Sequence, residues 1–430
     1  MKVCVLTLGC KVNAYESEVI KNNFIDNGWN IVKIDELPDA IIINTCSVTN
    51  QSDSKSRKII RSSKKQNPNS IIVVCGCSSQ QHQEKLLDME IDILIGNKDK
   101  SKIVNYVDDY QKNNKQITKF YNLKDIPFEN MEISSFEGKT RGFVKIQDGC
   151  NNFCSYCIIP FLRGNIRSKK LVEAYNEIKT LVNNGYQEIV LTGIHTGSYG
   201  SGTDYNLVSL IRKISKLDSL ERIRISSIEI TEITDEFLLE LKNNPKLCDH
   251  LHIPIQNGSN NVLKLMNRKY NLKEYEDIIN KIRRARPNIN ITTDLIVGFP
   301  SESEEDFNKT IETVKKIGFG KVHVFPFSLR KGTAAEKITN IVSPQEKKQR
   351  ALELSKISDE LEQAYYSRFL GKELDVIIEE VHEENSSGHT SNYLNVNINS
   401  KLVRKKNYEV LITEVKDLNI SGKLINVKEL

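Results

Sequence analysis

Cys150, Cys154 and Cys157 fall within eight residues in the order Cys-x3-Cys-x2-Cys. Three thiolates so close can wrap one face of a small iron–sulfur cluster. Such clusters usually take four protein thiolates, so three leave one iron open to a cofactor or substrate. A zinc site is the competing reading. Structural zinc is closed by four ligands, and His195 or His252 could supply the fourth. Three unrelated packing residues are the blander alternative, because free cysteine behaves as a small hydrophobe.

A second set is dispersed. Cys10 follows the run Val3–Gly9, Cys46 follows Ala40–Thr45 and Cys77 follows Ile71–Gly76. Each stands just past an expected parallel strand, and in an open parallel sheet those ends share the edge where ligands bind. Three thiols could converge there on a second cluster, or be separate structural cysteines. Cys75 rivals Cys77 but ends its strand and is expected inside, whereas Cys77 follows Gly76 into the loop. Cys4 and Cys248 read as core residues. Nine cysteines and no export leader argue against a disulfide framework and for a cytoplasmic protein.

The elements that must position these thiols alternate. Strand-like runs at Val3–Leu8, Ala40–Asn44, Ile71–Cys75 and Asp92–Ile95 are separated by helical stretches near 14–27, 51–66 and 98–110. That pattern predicts an open parallel α/β domain. Residues 112–140 read as a connection. Six further runs follow: Gly142–Gln147, Glu188–Thr192, Arg222–Ser226, His250–Ile255, Ile291–Val297 and Lys321–Phe327. They predict a partial (β/α)6 barrel, with its chemistry at the C-terminal strand ends. Ser303 with Asp306 reads as a capping box. The last segment alternates in strand fashion at Gly371–Val381, Tyr393–Ile398, Tyr408–Val415 and Lys423–Val427, with turns at Gly388 and Gly422. It predicts a small all-β barrel.

The divisions expected are 1–112, a linker 113–135, a core 136–366 and a terminal barrel 367–430. About three domains suit 430 residues at roughly 150 per domain. With 39% hydrophobic and 27% charged residues the composition is that of a folded globular chain rather than a disordered one. No apolar run approaches the roughly 20 residues that span a bilayer. The net charge of +5 resides in residues 136–366, which permits a polyanionic partner.

The Cys150–Cys157 motif after a first barrel strand resembles the radical S-adenosylmethionine (SAM) superfamily. The resemblance implies a 4Fe-4S cluster on Cys150, Cys154 and Cys157, with SAM on its open iron and cleavage to a deoxyadenosyl radical. Further SAM contacts are implied at the strand ends carrying Gly193, Ser226, Glu229, Gln256 and Gly298. More specifically, Leu8-Gly9-Cys10-Lys11-Val12-Asn13 with Tyr15-Glu16-Ser17, Asn44-Thr45-Cys46-Ser47-Val48-Thr49 and Gly76-Cys77 resemble the methylthiotransferase family. So do Lys145–Cys150, Cys157-Ile158-Ile159-Pro160 and Arg163-Gly164. Gly371-Lys372-Glu373 with Glu379-Glu380 looks like the start of a TRAM domain. By this resemblance Cys10, Cys46 and Cys77 hold an auxiliary 4Fe-4S cluster used in sulfur insertion. Gln256-Asn257-Gly258-Ser259 and Ile230 depart from the family pattern.

The Gly-Cys-Lys-Val-Asn start is most similar to the branch that acts on N6-threonylcarbamoyladenosine beside the tRNA anticodon, at position 37. It implies methylthiolation of adenine carbon 2, supported by a low-potential one-electron donor of ferredoxin or flavodoxin type. The alternatives are isopentenyladenosine in tRNA, an aspartate of a ribosomal protein, or a non-enzymatic electron carrier or RNA-binding scaffold. Candidate RNA contacts are Arg163, Arg167, Lys169 and Lys170 beyond the local triad, and Lys401, Arg404, Lys405 and Lys406 in the terminal barrel. Lys55, Arg57, Lys58, Arg61, Lys64 and Lys65 on a predicted helix are further candidates.

Overall fold

The computed structural model describes residues 1–427. Its N-terminal part is a six-stranded, wholly parallel sheet. The strands run in the order Asn30–Ile31, Lys2–Thr7, Ala40–Thr45, Ile71–Gly76, Ile93–Ile95 and Ile117–Lys119. Ala40–Thr45 is buried along its whole length, as a central parallel strand flanked on both faces must be. The chain direction across the sheet switches between Lys2–Thr7 and Ala40–Thr45. That is the point where open α/β sheets form their ligand crevice. Two edge strands escape sequence reading. Asn30–Ile31 is only two residues long, and Ile117–Lys119 lies inside the stretch expected to be a connection.

Six parallel strands form the middle of the molecule. Arg141–Lys145, Glu188–Thr192 and Arg222–Ile225 make one ladder, and His250–His252, Asn290–Val297 and Lys321–Pro326 another. The two meet at a thin seam, where Ile223 bonds to Lys246 and Cys248 and Ile228 bonds to His252. Alternation separates two faces. Val144, Ile189, Leu191, Ile223, Ile225, Leu251, Ile291 and Leu295 join the core under the surrounding helices. The opposite face carries Arg141, Glu188, Arg222, Arg224, His250, His252, Thr292, Asp294 and His323, which makes the lumen polar. The Glu304–Ile317 helix opens on the expected Ser303–Asp306 capping box.

The terminal segment closes as a five-stranded barrel of Glu373–Val381, Ser386–Thr390, Asn395–Ile398, Asn407–Lys416 and Asn419–Val427. Gly388 and Gly422 are not turns. Both lie within strands, where a Cβ would stand 2.1 Å from the Ile377 carbonyl oxygen and 2.3 Å from a Val410 methyl. This barrel seals the N-terminal end of the lumen. Arg141 pairs with Glu379 at 3.2 Å, Arg222 donates to the carbonyls of His389 and Asp375, and Arg224 donates to that of Ser391. Tyr393 stacks on His250 at 4.9 Å beneath Arg141 and Arg224. Among the described residues, no helix is long and apolar enough to cross a membrane.

Candidate active site

The dispersed thiols meet because three strand ends are in register. Thr7 lies opposite Asn44, and Thr45 opposite Gly76. Cys10, Cys46 and Cys77 follow these ends and line one cavity of about 400 Å³. Two glycines permit the approach. At Gly9, with φ +102°, a Cβ would sit 2.7 Å from Cys46 Cβ and 2.8 Å from its Sγ. At Gly76, with φ +101°, it would meet the Thr45 carbonyl oxygen at 2.4 Å. Asn13 ties two loops together by donating to the Leu8 and Thr45 carbonyls at 2.8 and 2.9 Å. Burial pushes the Cys10 and Cys46 thiols up, while Arg163 opposes this at Cys10.

The local triad lies on the loop after Arg141–Lys145. Arg268 donates to Cys154 Sγ at 3.2 Å and is paired with Glu229. His195 lies beside Cys150 and 2.9 Å from Glu232. Burial opposes its protonation, but the bonds to Cys150 and Glu232 outweigh it and hold the imidazole up to about 10. The two triads adjoin. Cys77 packs against Ile158 and Leu162, which closely follow Cys157, and Asn97 donates both to Cys77 Sγ at 3.5 Å and to the Leu162 carbonyl at 2.8 Å. Thr192, Gly193, Ser226 and Pro254, from the barrel strand ends, complete the cavity wall.

Beneath the triads lies a buried ion network. Glu16 pairs with Lys100, with Lys145 at 2.6 Å and with Arg163 at 3.0 Å; Asp148 pairs with Lys145, Arg163 and Arg167 at 2.7, 3.1 and 3.1 Å. Burial alone would raise the Glu16 carboxyl, but Arg163, Lys100 and Lys145 hold it well below the usual range. This network joins the N-terminal sheet to the barrel, as does Arg330 through Asp53, Ser47 and Gln81.

These placements correct part of the RNA reading. Arg163 is fully buried against Glu16, Asp148 and Asn13, and Lys169 is fully buried on Glu177 and the Met131 carbonyl. Arg167 is turned inward onto Asp148 and the carbonyls of Arg163 and Asn165. Neither Arg163 nor Lys169 can meet a phosphate: Glu16, far away in sequence, and Asp148 take up the charge of Arg163, and Glu177, eight residues on, takes up that of Lys169. Arg404 donates to the carbonyls of Glu379 and Gly138, and Lys405 lies 4.0 Å over the Tyr186 ring. Lys170 and Lys406 remain exposed. On the Asn50–Gln66 helix, Lys55, Lys58, Arg61 and Lys65 are exposed and without an ion-pair partner among the described residues.

Of the implied SAM contacts, Gly193 and Ser226 line the cavity and Glu229 reaches the local triad through Arg268. Gln256 adopts φ +67° and shares a strand bridge with Leu295. Gly298, at φ +68°, donates to Glu302 at 2.5 Å and lies against Lys347. Sequence reasoning missed Arg268 and Asn97, which carry no local signal. Glu16 and Asn13 were visible only as parts of a motif.

The donor chemistry fits iron–sulfur clusters. Each triad has an arginine at its edge, which favours thiolate over thiol. Arg163 Nε is buried without a hydrogen-bond partner, and its guanidinium lies within electrostatic reach of Cys10 and Cys77. An anionic sulfur-rich group there would satisfy that orphaned donor. Among the described residues, no three Cys, His, Asp or Glu side chains are gathered tightly enough for one metal ion.

Residues 144–314 match the radical SAM superfamily model, and residues 2–96 match uncharacterized protein family UPF0004. The radical SAM methyltransferase TsrM of Kitasatospora setae shares the fold, with a TM-score of 0.56 at 13% identity over 78% of this chain and 76% of that one. The fold and site therefore define a radical SAM enzyme, a class that works with a 4Fe-4S cluster and SAM. The threonylcarbamoyladenosine tRNA methylthiotransferase MtaB of Bacillus subtilis is 42% identical over 91% of this chain and 88% of its own length. Its Aquifex aeolicus counterpart is 37% identical over 92% and 96%. A Clostridium botulinum tRNA-2-methylthio-N(6)-dimethylallyladenosine synthase is 34% identical over 98% and 93%. The chain belongs to the radical SAM tRNA methylthiotransferase family.

Proposed function

We propose that this enzyme methylthiolates carbon 2 of N6-threonylcarbamoyladenosine at position 37 of tRNA. Two adjoining thiol triads, the dispersed one lining a cavity walled by the barrel strand ends, carry the reading, and the MtaB relatives favour this nucleoside over isopentenyladenosine. Cys150, Cys154 and Cys157 would hold one 4Fe-4S cluster with SAM, and Cys10, Cys46 and Cys77 the other; the clusters would supply the electron for radical formation and the sulfur chemistry, and SAM the hydrogen-abstracting radical and the methyl group. The chain's own work is positional. Arg268 and His195 favour thiolate in the local triad, and Arg163 does so in the dispersed one. Gly193 and Ser226 form the shared wall, and Glu229 fixes Arg268. The Glu16 network holds the two halves in one orientation, which keeps the triads adjoining and excludes water. The divisions 1–112, 113–135, 136–366 and 367–430 separate these jobs.

The target base is flipped from the anticodon loop into the cavity. Lys55, Lys58, Arg61 and Lys65, with Lys170 and Lys406, meet the phosphates. A ferredoxin- or flavodoxin-type donor in the cytoplasm supplies electrons. Nucleoside mass spectrometry of tRNA from cells with and without the gene tests the substrate. Loss of 2-methylthio-N6-threonylcarbamoyladenosine is expected; loss of the methylthiolated isopentenyl nucleoside instead would overturn the assignment.

A further inference from the structure

The barrel lumen holds a second cavity of about 420 Å³ below the sulfur site. Lys11, Ser226, His252 and Asp294 line both, so the two spaces adjoin. Lys11 follows Cys10 directly and its side chain is exposed to the shared space. Every other Lys or Arg lining either cavity is ion-paired: Arg224 with Glu188, Lys321 with Glu362, and Arg163 with Glu16. Lys11 has no carboxylate partner among the described residues. Asp294 is engaged by His252 at 3.4 Å. Deeper in the lumen, His250 Nδ1 and Asn290 Oδ1 are buried without a hydrogen-bond partner, in side chains only 7% and 3% exposed. Buried polar atoms of this kind are normally satisfied, so the cavity is built for a polar occupant.

The target nucleoside supplies one. Carbon 2 and carbon 6 flank the same ring nitrogen of adenine, so a base with carbon 2 at the sulfur site sends its N6 substituent into the neighbouring space. A threonylcarbamoyl group carries a carboxylate, a hydroxyl and a carbamoyl. We propose that the lumen cavity receives this substituent, with Lys11 pairing with its carboxylate and His250 and Asn290 meeting its neutral polar groups. This rests on the substrate reading above and assigns the selectivity to Lys11.

The test uses full-length enzyme and anticodon stem-loop RNA carrying N6-threonylcarbamoyladenosine, either as the free acid or as its neutral methyl ester. Affinities are measured at fixed salt, and the acid-to-ester ratio within each protein cancels phosphate contacts and any loss of cluster. The wild type is expected to prefer the acid by about 10- to 100-fold, the range for a hydrogen bond to a charged group. Lys11→Gln and Lys11→Met should bring the ratio near one, and Lys11→Arg should keep it. Equal wild-type affinity for acid and ester, or a ratio unchanged in Lys11→Gln and Lys11→Met, overturns the proposal. Failure of the substrate reading shows separately, as a wild type that methylthiolates isopentenyladenosine RNA and leaves the threonylcarbamoyl RNA unmodified; that outcome overturns both.

Discussion

The two cysteine triads come to adjoin by opposite routes. Cys150, Cys154 and Cys157 occupy one loop, so chain connectivity alone brings them together. Cys10, Cys46 and Cys77 come from three strand ends, and only strand register, two left-handed glycines and the Asn13 bonds bring them together. The local triad is therefore robust to change in the fold around it. The dispersed triad is a direct readout of whether the N-terminal sheet is correctly assembled.

Breaking one triad at a time should separate the two jobs most strongly. Cys157→Ala is expected to abolish both SAM cleavage and methylthiolation. Cys77→Ala should abolish methylthiolation while reductive SAM cleavage continues, as measured by 5′-deoxyadenosine release. Full methylthiolation by Cys77→Ala would remove the dispersed triad from the mechanism.

Gly9→Ala sharpens the contrast without touching a thiol. Its Cβ would collide with Cys46, so reconstituted protein should lose roughly half its iron, since one of two similar clusters cannot form. Deoxyadenosine release should persist.

Glu16→Gln tests the network that holds the triads side by side. It removes the anion shared by Lys100, Lys145 and Arg163, and breaking a buried pair of this kind costs about 3–5 kcal/mol. Denaturant melts should show that loss. Because the Glu16 carboxyl is held well below its usual range, its contribution is present above about pH 4 and is lost as the solution acidifies further. The Glu16→Gln variant should lack that part of the acid sensitivity.

The smallest effect belongs to the surface. Neutralising Arg61 and Lys65 together should weaken tRNA binding modestly and reduce the salt slope by up to about two counterions. Both clusters should be retained.

How much was legible follows the same division. The local motif, the strand runs before Cys10, Cys46 and Cys77, and the β/α alternation are written in short stretches of sequence, and the structure keeps them with only small shifts at their ends. What failed depends on distant partners. Arg163 looks like a solvent-facing charge beside a motif, but its partner Glu16 is 147 positions away. Gly388 and Gly422 look like turns because the strands that crowd them lie elsewhere in the chain. Ile117–Lys119 is polar and short, and becomes a strand only because Ile93–Ile95 offers it an edge. Lys11 sits inside a recognisable motif, yet only the fold shows that it opens onto the barrel lumen.

Iron counting on two reconstituted variants decides whether the triads hold separate clusters. One variant replaces Cys10, Cys46 and Cys77 with Ala, the other Cys150, Cys154 and Cys157. Each should retain about half the wild-type iron as a 4Fe-4S cluster, and only the first should still bind and cleave SAM. A variant that loses all of its iron, or none of it, would contradict two independent clusters held by adjoining triads.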